Sequence, residues 1–209
     1  MSIQIPRNKW IAVYNSISLC WFVVDCNNNR QEEVAKINSA YNMFCRERGF
    51  PGMGFNVTAP ENMVLFGYAV IVRVKEIIDP AIKGINVSGV TAKEYLFQSM
   101  IDAARSYGSD YFSSYNQFIA KQNIDIIECS FSNKAEFEKY YQFMTHIRHS
   151  IAHSTYELKD GGNSIYLKSE HDKIVHFEAT MPLPAFINFV LNLGICLNRV
   201  LHEKHMLTE

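Results

Sequence analysis

Apolar residues recur at spacings of three and four along most of the chain, and turn or capping residues bound each run. Trp10, Tyr14, Ile17, Trp21 and Val24 line one face of a predicted helix ending near Asp25. Asn27-Asn28-Asn29 reads as a turn and N-cap, followed by Glu32 and Glu33 in the first turn of a second helix, where the dipole favours acids. Gly49 stops that helix, and residues 50–59 form a loop punctuated by Gly and Pro. Thr58 and Glu61 make a capping box around Pro60. The helix that follows, to about Asp79, is apolar almost all round, which predicts it at the centre of the core. Residues 80–90 are a second loop.

Thr91 and Glu94 then cap a helix through Leu96, Met100 and Ala103 to about Tyr107, which Gly108 breaks. A short helix over 110–121 carries Tyr111, Tyr115 and Phe118 on one face, and 124–131 fits either a strand or a loop. Asn133 with Glu136 caps a helix whose core face is Tyr140, Met144, Ile147 and Ile151. Asp160-Gly161-Gly162-Asn163 is a turn. Ile165-Tyr166-Leu167 and Ile174-Val175-His176-Phe177 flank the polar tip Glu170-His171-Asp172 as a β-hairpin. The last helix runs from about Pro184 to His202, with Phe186, Val190, Leu193, Leu197 and Val200 in one stripe. The expectation is a mainly α fold in one domain over 1–209: a bundle of about seven helices with a small β-hairpin near 163–179.

Composition narrows the function classes. Hydrophobic residues are 48% of the 209 and charged residues 20%, a globular balance, and the formal net charge of −1 confines any nucleic-acid contact to a local patch. Five cysteines, an odd number without C-x-x-C spacing, argue against a disulfide framework and a Cys-based zinc site, and point to a reducing cytoplasm. Arg7 and Lys9 before the apolar stretch 11–24 imitate a signal peptide, but Asn15, Ser16 and Ser18 interrupt it. The apolar run 63–74 is too short to span a bilayer, so a cytoplasmic protein without membrane contact is expected.

One helix carries candidate chemistry. His146, His149 and His153 fall on the side opposite its core face, within about 60° of each other, with Arg148 on a flank. That side is expected to face solvent or a partner. A solvated polar face is the plain reading. Spacings of three and four also suit a divalent metal, although no carboxylate joins at ligand spacing and Glu157 comes after the helix end.

The segment Arg148-His149-Ser150-Ile151-Ala152-His153 resembles the R-x4-6-H signature of the HEPN superfamily: an arginine, a polar residue next to it, and a histidine near the end of a long helix. A plasmid- or prophage-borne bacterial member is the subgroup it looks like. Arg199 and His205 also fit the loose pattern, but apolar Val200 follows the arginine and the C-terminus is expected to fray.

The resemblance implies a metal-independent endoribonuclease without a cofactor. It implies a homodimer that brings two motifs into one cleft, acting as a toxin or phage-defence effector with an antitoxin or nucleotidyltransferase partner. On it, His153 is the general acid/base on the 2′-hydroxyl or the leaving 5′-oxygen, Arg148 stabilises the charge on the phosphorane, and His149 orients or assists. The residue types suit that work: histidine titrates near neutral pH, and arginine offers a fixed cationic fork to phosphate oxygens. The ribose 2′-OH is the internal nucleophile, so no metal is required.

His146, Ser150, Lys159, Lys168 and Lys173 are candidate RNA contacts, diluted by Glu157, Asp160, Glu170 and Asp172. Some HEPN toxins carry a tyrosine two residues after the histidine as an AMP-acceptor. Thr155 holds that place here and Tyr156 follows, so Tyr156 reads as a core aromatic. Residues five apart diverge by about 140° on an ideal helix, so Arg148 and His153 call for a site shared between chains or a helix that ends early. The alternatives are a non-catalytic HEPN-like module binding RNA, a nucleotide or a protein, and a His-rich metal-binding protein.

Overall fold

Helix α1, Arg7–Asn29, buries Trp10, Val13, Ile17, Cys20, Val23 and Cys26. This stripe is rotated from the expected one: Tyr14 is 46% and Trp21 53% exposed. Trp10 keeps its place on the buried face and donates through Nε1 to Asn198 Oδ1 of the last helix at 2.8 Å. The Asn27–Asn29 run continues the helix instead of turning, and Asn29 donates to Asp25 Oδ1 at 2.8 Å rather than capping α2. The chain bends at Arg30, and α2, Gln31–Glu47, follows with no fully buried residue. Tyr41, Met43 and Phe44 stand exposed on it, as do Ile11, Leu19 and Phe22 on α1. Gly49, at φ +70°, ends it as the sequence predicts.

The computed structural model describes residues 2–49, 56–106, 124–125 and 135–209. The helix expected over 110–121, Gly108 and Asn133 lie outside them.

Helix α3, Pro60–Gly67, a π-helical turn, Tyr68–Val72, and α4, Arg73–Ile82, follow one another without a break. The wider π turn brings three consecutive side chains, Val70, Ile71 and Val72, into the core, and the segment is central as its apolar pattern predicts. Two local expectations fail. Thr58 bonds the Asn56 side chain at 2.9 Å rather than capping α3, and α4 continues two residues past Pro80 because Ile82 is buried. Asn86–Val87 (β2) and Val90–Thr91 (β3) form a small hairpin through Ser88 and Gly89, both at positive φ. Thr91 then accepts the Glu94 N–H at 3.2 Å, as expected of a cap, and opens α5, Ala92–Ser106.

The β structure exceeds the expected hairpin. Tyr156–Lys159 (β5), Ser164–His171 (β6) and Ile174–Pro182 (β7) join Ile124–Asp125 (β4) in an antiparallel sheet of order β4-β7-β6-β5. The turn between β6 and β7 is Asp172-Lys173, both at positive φ. Alternation sends Ile165, Leu167, Ser169, Phe177, Ala179 and Met181 to the buried face. Between β6 and β7 the register shifts at Ser169/Glu170, so that Ser169 opposes Phe177 and Glu170 opposes Val175.

The last helices are α6, Glu136–Ala152, and α7, Leu183–Glu203. Helix α7 is long and apolar enough to cross a membrane, yet Phe186, Val190, Leu193, Leu197 and Val200 are all buried against the bundle. The C-terminus does not fray: Ile5–Pro6 (β1) pairs in parallel with Leu207–Thr208 (β8), and Ile5 N–H donates to the Met206 carbonyl at 2.8 Å.

Two glycines set how closely the helices approach. A Cβ on Gly194 of α7 would sit 2.6 Å from Ile17 Cγ1 of α1, and one on Gly67 of α3 2.6 Å from Phe186 Cζ. Gly194→Val is expected to lower unfolding free energy by about 1–3 kcal/mol through overpacking, read from urea denaturation. An unchanged midpoint would show that α1 and α7 can part freely.

Candidate active site

Helix α6 packs Tyr140, Phe143, Met144, Ile147 and Ile151 into the core, the face its spacing predicts. Its N-cap is Ala135, without a side-chain bond. Its C-terminal end is closed by two reverse bonds: Ser154 N–H to the Ile151 carbonyl at 3.2 Å and Thr155 N–H to the Ser150 carbonyl at 2.8 Å. Ser154 takes the left-handed conformation, φ +56°, that such an ending needs. The helix therefore stops at Ala152, and His153 is the first residue beyond it.

The histidine side of α6 is not open, contrary to the sequence reading. The β6–β7 sheet covers much of it. His146 lies flat on Phe177, centroids 5.2 Å apart and planes 5° apart, and its Nδ1 is 3.2 Å from Ser169 Oγ. His149 Nε2 is 3.0 Å from the Glu170 carbonyl oxygen. A carbonyl only accepts, so in the neutral ring Nε2 bears the hydrogen and Nδ1 keeps its lone pair. The His149 and His153 rings stand 4.3 Å apart, and His153 is exposed. The three imidazoles do not converge on a point. Among the described residues no three His, Cys, Asp or Glu side chains gather as metal ligands, which tells against the His-rich metal reading.

Arg148 turns to the other flank. Tyr141, Thr145 and Arg148 share one stripe of α6, four and three residues apart. Thr145 Oγ1 accepts from Lys75 Nζ at 3.1 Å, a lysine only 5% exposed. Lys75 pairs with Asp79 at 2.9 Å and stands 3.8 Å from the Tyr141 ring centre. Burial lowers its pKa, Asp79 works against that shift, and the Arg148 and Lys93 charges reinforce it. Among the described residues Arg148, half-buried, has no acidic partner. Its charge is felt by Lys75 on one side and by His149 on the other.

His149 is the electrostatic centre of the group. Burial holds its pKa below the ordinary 6.5; the Glu170 carbonyl opposes that shift, while His153, Arg148 and His171 add to it by repulsion. His171, on the sheet's tip, was not among the sequence candidates: only the strand register connects residue 171 with residue 149. Lys75 is marked in the sequence only as a lysine within an otherwise apolar helix.

The proposed RNA contacts separate. Ser150 is 0% exposed, with its hydroxyl on the His146 carbonyl, so it cannot reach RNA. His146 is occupied by Phe177 and Ser169. Lys168 is paired with Glu170, and Lys159 lies over the Tyr166 ring at 4.3 Å. Lys159 and Lys173 flank opposite ends of β6, about 23 Å apart at 3.3 Å per residue, so they do not form one patch. Tyr156 is no core aromatic: it is exposed and borders a groove of about 320 Å³ with Leu65, Tyr68, Ile151 and Ala152, just beyond His153.

The lowered His149 pKa gives a stability prediction. The unfolded ring binds a proton below about pH 6.5 before the folded one does, so the contribution is whole above that pH and declines as pH falls. Urea denaturation at pH 7.5 and 5.5 is expected to show a smaller acid loss in His149→Asn than in wild type. Equal losses would refute the assignment.

A family model described as HEPN pEK499 p136 matches residues 9–203. No curated protein and no solved structure matches the chain significantly.

Proposed function

The chain belongs to the HEPN pEK499 p136 family, and from that premise we propose that it is a metal-independent endoribonuclease, a homodimer whose active site is composed from both chains. The observation that carries this reading is the His149–His153 pair at the end of α6, with Arg148 on the next flank and without an acidic partner among the described residues. Burial and the neighbouring Arg148 and His153 charges favour the neutral form of His149, and a neutral imidazole beside a second, exposed one can take up a proton while the other supplies one. That is the pairing an internal transesterification uses. His149, held neutral with Nδ1 free, serves as a base or orients the 2′-hydroxyl. His153, exposed, delivers a proton to the leaving 5′-oxygen. Arg148 stabilises the developing phosphorane charge.

Arg148 and His149 occupy different flanks of α6 and His153 follows its last residue, an arrangement that favours a partner's arginine completing the site. The groove beside His153 supports the same arrangement, because Leu65 is 61% exposed there, next to Tyr68 and Tyr156. A toxin or phage-defence role, with RNA as substrate and a cognate antitoxin or nucleotidyltransferase, is the biological setting we propose.

The test is incubation of the purified chain with RNA in EDTA. Products with 2′,3′-cyclic phosphate ends support the reading. A stable RNA complex without turnover favours a binding module instead, and neither cleavage nor binding ends both.

A further inference from the structure

We propose that the cleft between the end of α4, the β2–β3 hairpin and α6 is a separate phosphate-binding site, which takes the phosphate of a nucleotide or of an RNA chain. The cleft encloses about 510 Å³, within the range of small-ligand sites. Lys83 and Lys93 line it, and among the described residues neither has an acidic partner. Among the described residues the carboxylate on the wall is Asp79, and it is already engaged: Oδ2 faces Lys75 at 2.9 Å and Oδ1 accepts from the Tyr141 hydroxyl at 3.2 Å. Its charge is spent on buried Lys75, so the opening carries two uncompensated ammonium groups and attracts an anion.

The rest of the lining suits a nucleotide more than a bare ion. Ile82 and Ile85 give one apolar wall, and Asn86 sets an amide beside it that can both donate and accept. Lys93 stands 4.9 Å from the centre of the Tyr141 ring, which fixes the ring and the ammonium together at the entrance.

The cleft also connects with the motif. Tyr141 borders it, and Arg148 lies seven residues further along the same stripe, about 10 Å down the helix axis. Lys75, bonded to Thr145, lies between them. Lys83, Lys93 and Arg148 therefore trace a basic track along which a single strand could set one phosphate in the cleft and another at Arg148. Only this RNA source rests on the proposed nuclease function; a free nucleotide does not.

The experiment titrates inorganic phosphate, adenosine 5′-monophosphate and a short, uncleavable 2′-O-methyl oligoribonucleotide into the full chain by calorimetry. The same titrations are run on a Lys83→Ala/Lys93→Ala variant. Wild type is expected to bind, with affinity that falls as salt rises, and the variant to bind roughly tenfold or more weakly. Dependence on the lysines for the oligonucleotide alone identifies RNA as the source; dependence for the monophosphate identifies a nucleotide. Lys83 is exposed and Lys93 half-buried, and circular dichroism checks that the variant folds. Wild-type affinity in the folded variant overturns the proposal. So does an equal loss in Lys9→Ala/Lys36→Ala, which removes two exposed lysines elsewhere, or no binding of any probe. Lysine-dependent binding without RNA cleavage keeps the cleft and removes the nuclease reading. Cleavage and binding indifferent to the lysines do the reverse.

Discussion

Arg148→Ala and His153→Ala are each expected to lower RNA cleavage in EDTA by roughly 10²–10⁴-fold, the range for a lost general acid or a lost charge stabiliser. Mixing the two inactive proteins is expected to restore about a quarter of wild-type activity. In a two-fold dimer with shared sites, each site takes its arginine from one chain and its histidine from the other. A mixed dimer then has one site lacking both groups and one intact site. Random exchange makes half the dimers mixed, and half their sites work. If each site lay within a single chain, every site in the mixture would lack one group. Mass spectrometry confirms exchange, and verified exchange without recovery refutes the shared site. Equal activity in wild type and both single variants would remove Arg148 and His153 from the chemistry altogether.

In the proposed dimer, Leu65→Asp should weaken association by on the order of 10²-fold or more, since it would set a carboxylate in an apolar contact. Leu65 contributes little to the fold of one chain, because most of its side chain already faces outward. The variant is therefore expected to keep its thermal transition while it sediments as a monomer at concentrations where wild type is a dimer. Cleavage should fall with it and recover as concentration rises, behaviour a damaged catalytic group does not show. Trp21→Asp, on the outer face of α1, is the comparison. If it dissociates the dimer and Leu65→Asp does not, the contact lies on α1 and the groove beside His153 has another use.

The sequence exposed some layers of this molecule and hid others, for physical reasons. The stripe of α7 and the core face of α6 were legible because nearly every apolar side chain there is buried. On α1 the periodicity was right and the phase wrong. Tyr14 and Trp21 point outward, while Val13 and Cys20 are buried with Ile17, the residue that meets Gly194. The helical wheel grouped His146, His149 and His153 correctly, yet it could not show that a sheet closes over two of them. That depends on which strand face lands on α6, and alternation along β6 and β7 settles it only once the pairing is known. Asp79, Lys75 and Tyr141 are likewise joined by packing between α4 and α6, at separations over which no periodicity runs.

The short pairing of β1 with β8 has a mechanical consequence. The two strands run parallel and belong to opposite ends of the chain. A pull on the two termini therefore drags them past each other lengthwise, loading their hydrogen bonds together instead of peeling them one by one. Tension applied through fused neighbours meets this ribbon before it reaches α1 or α7.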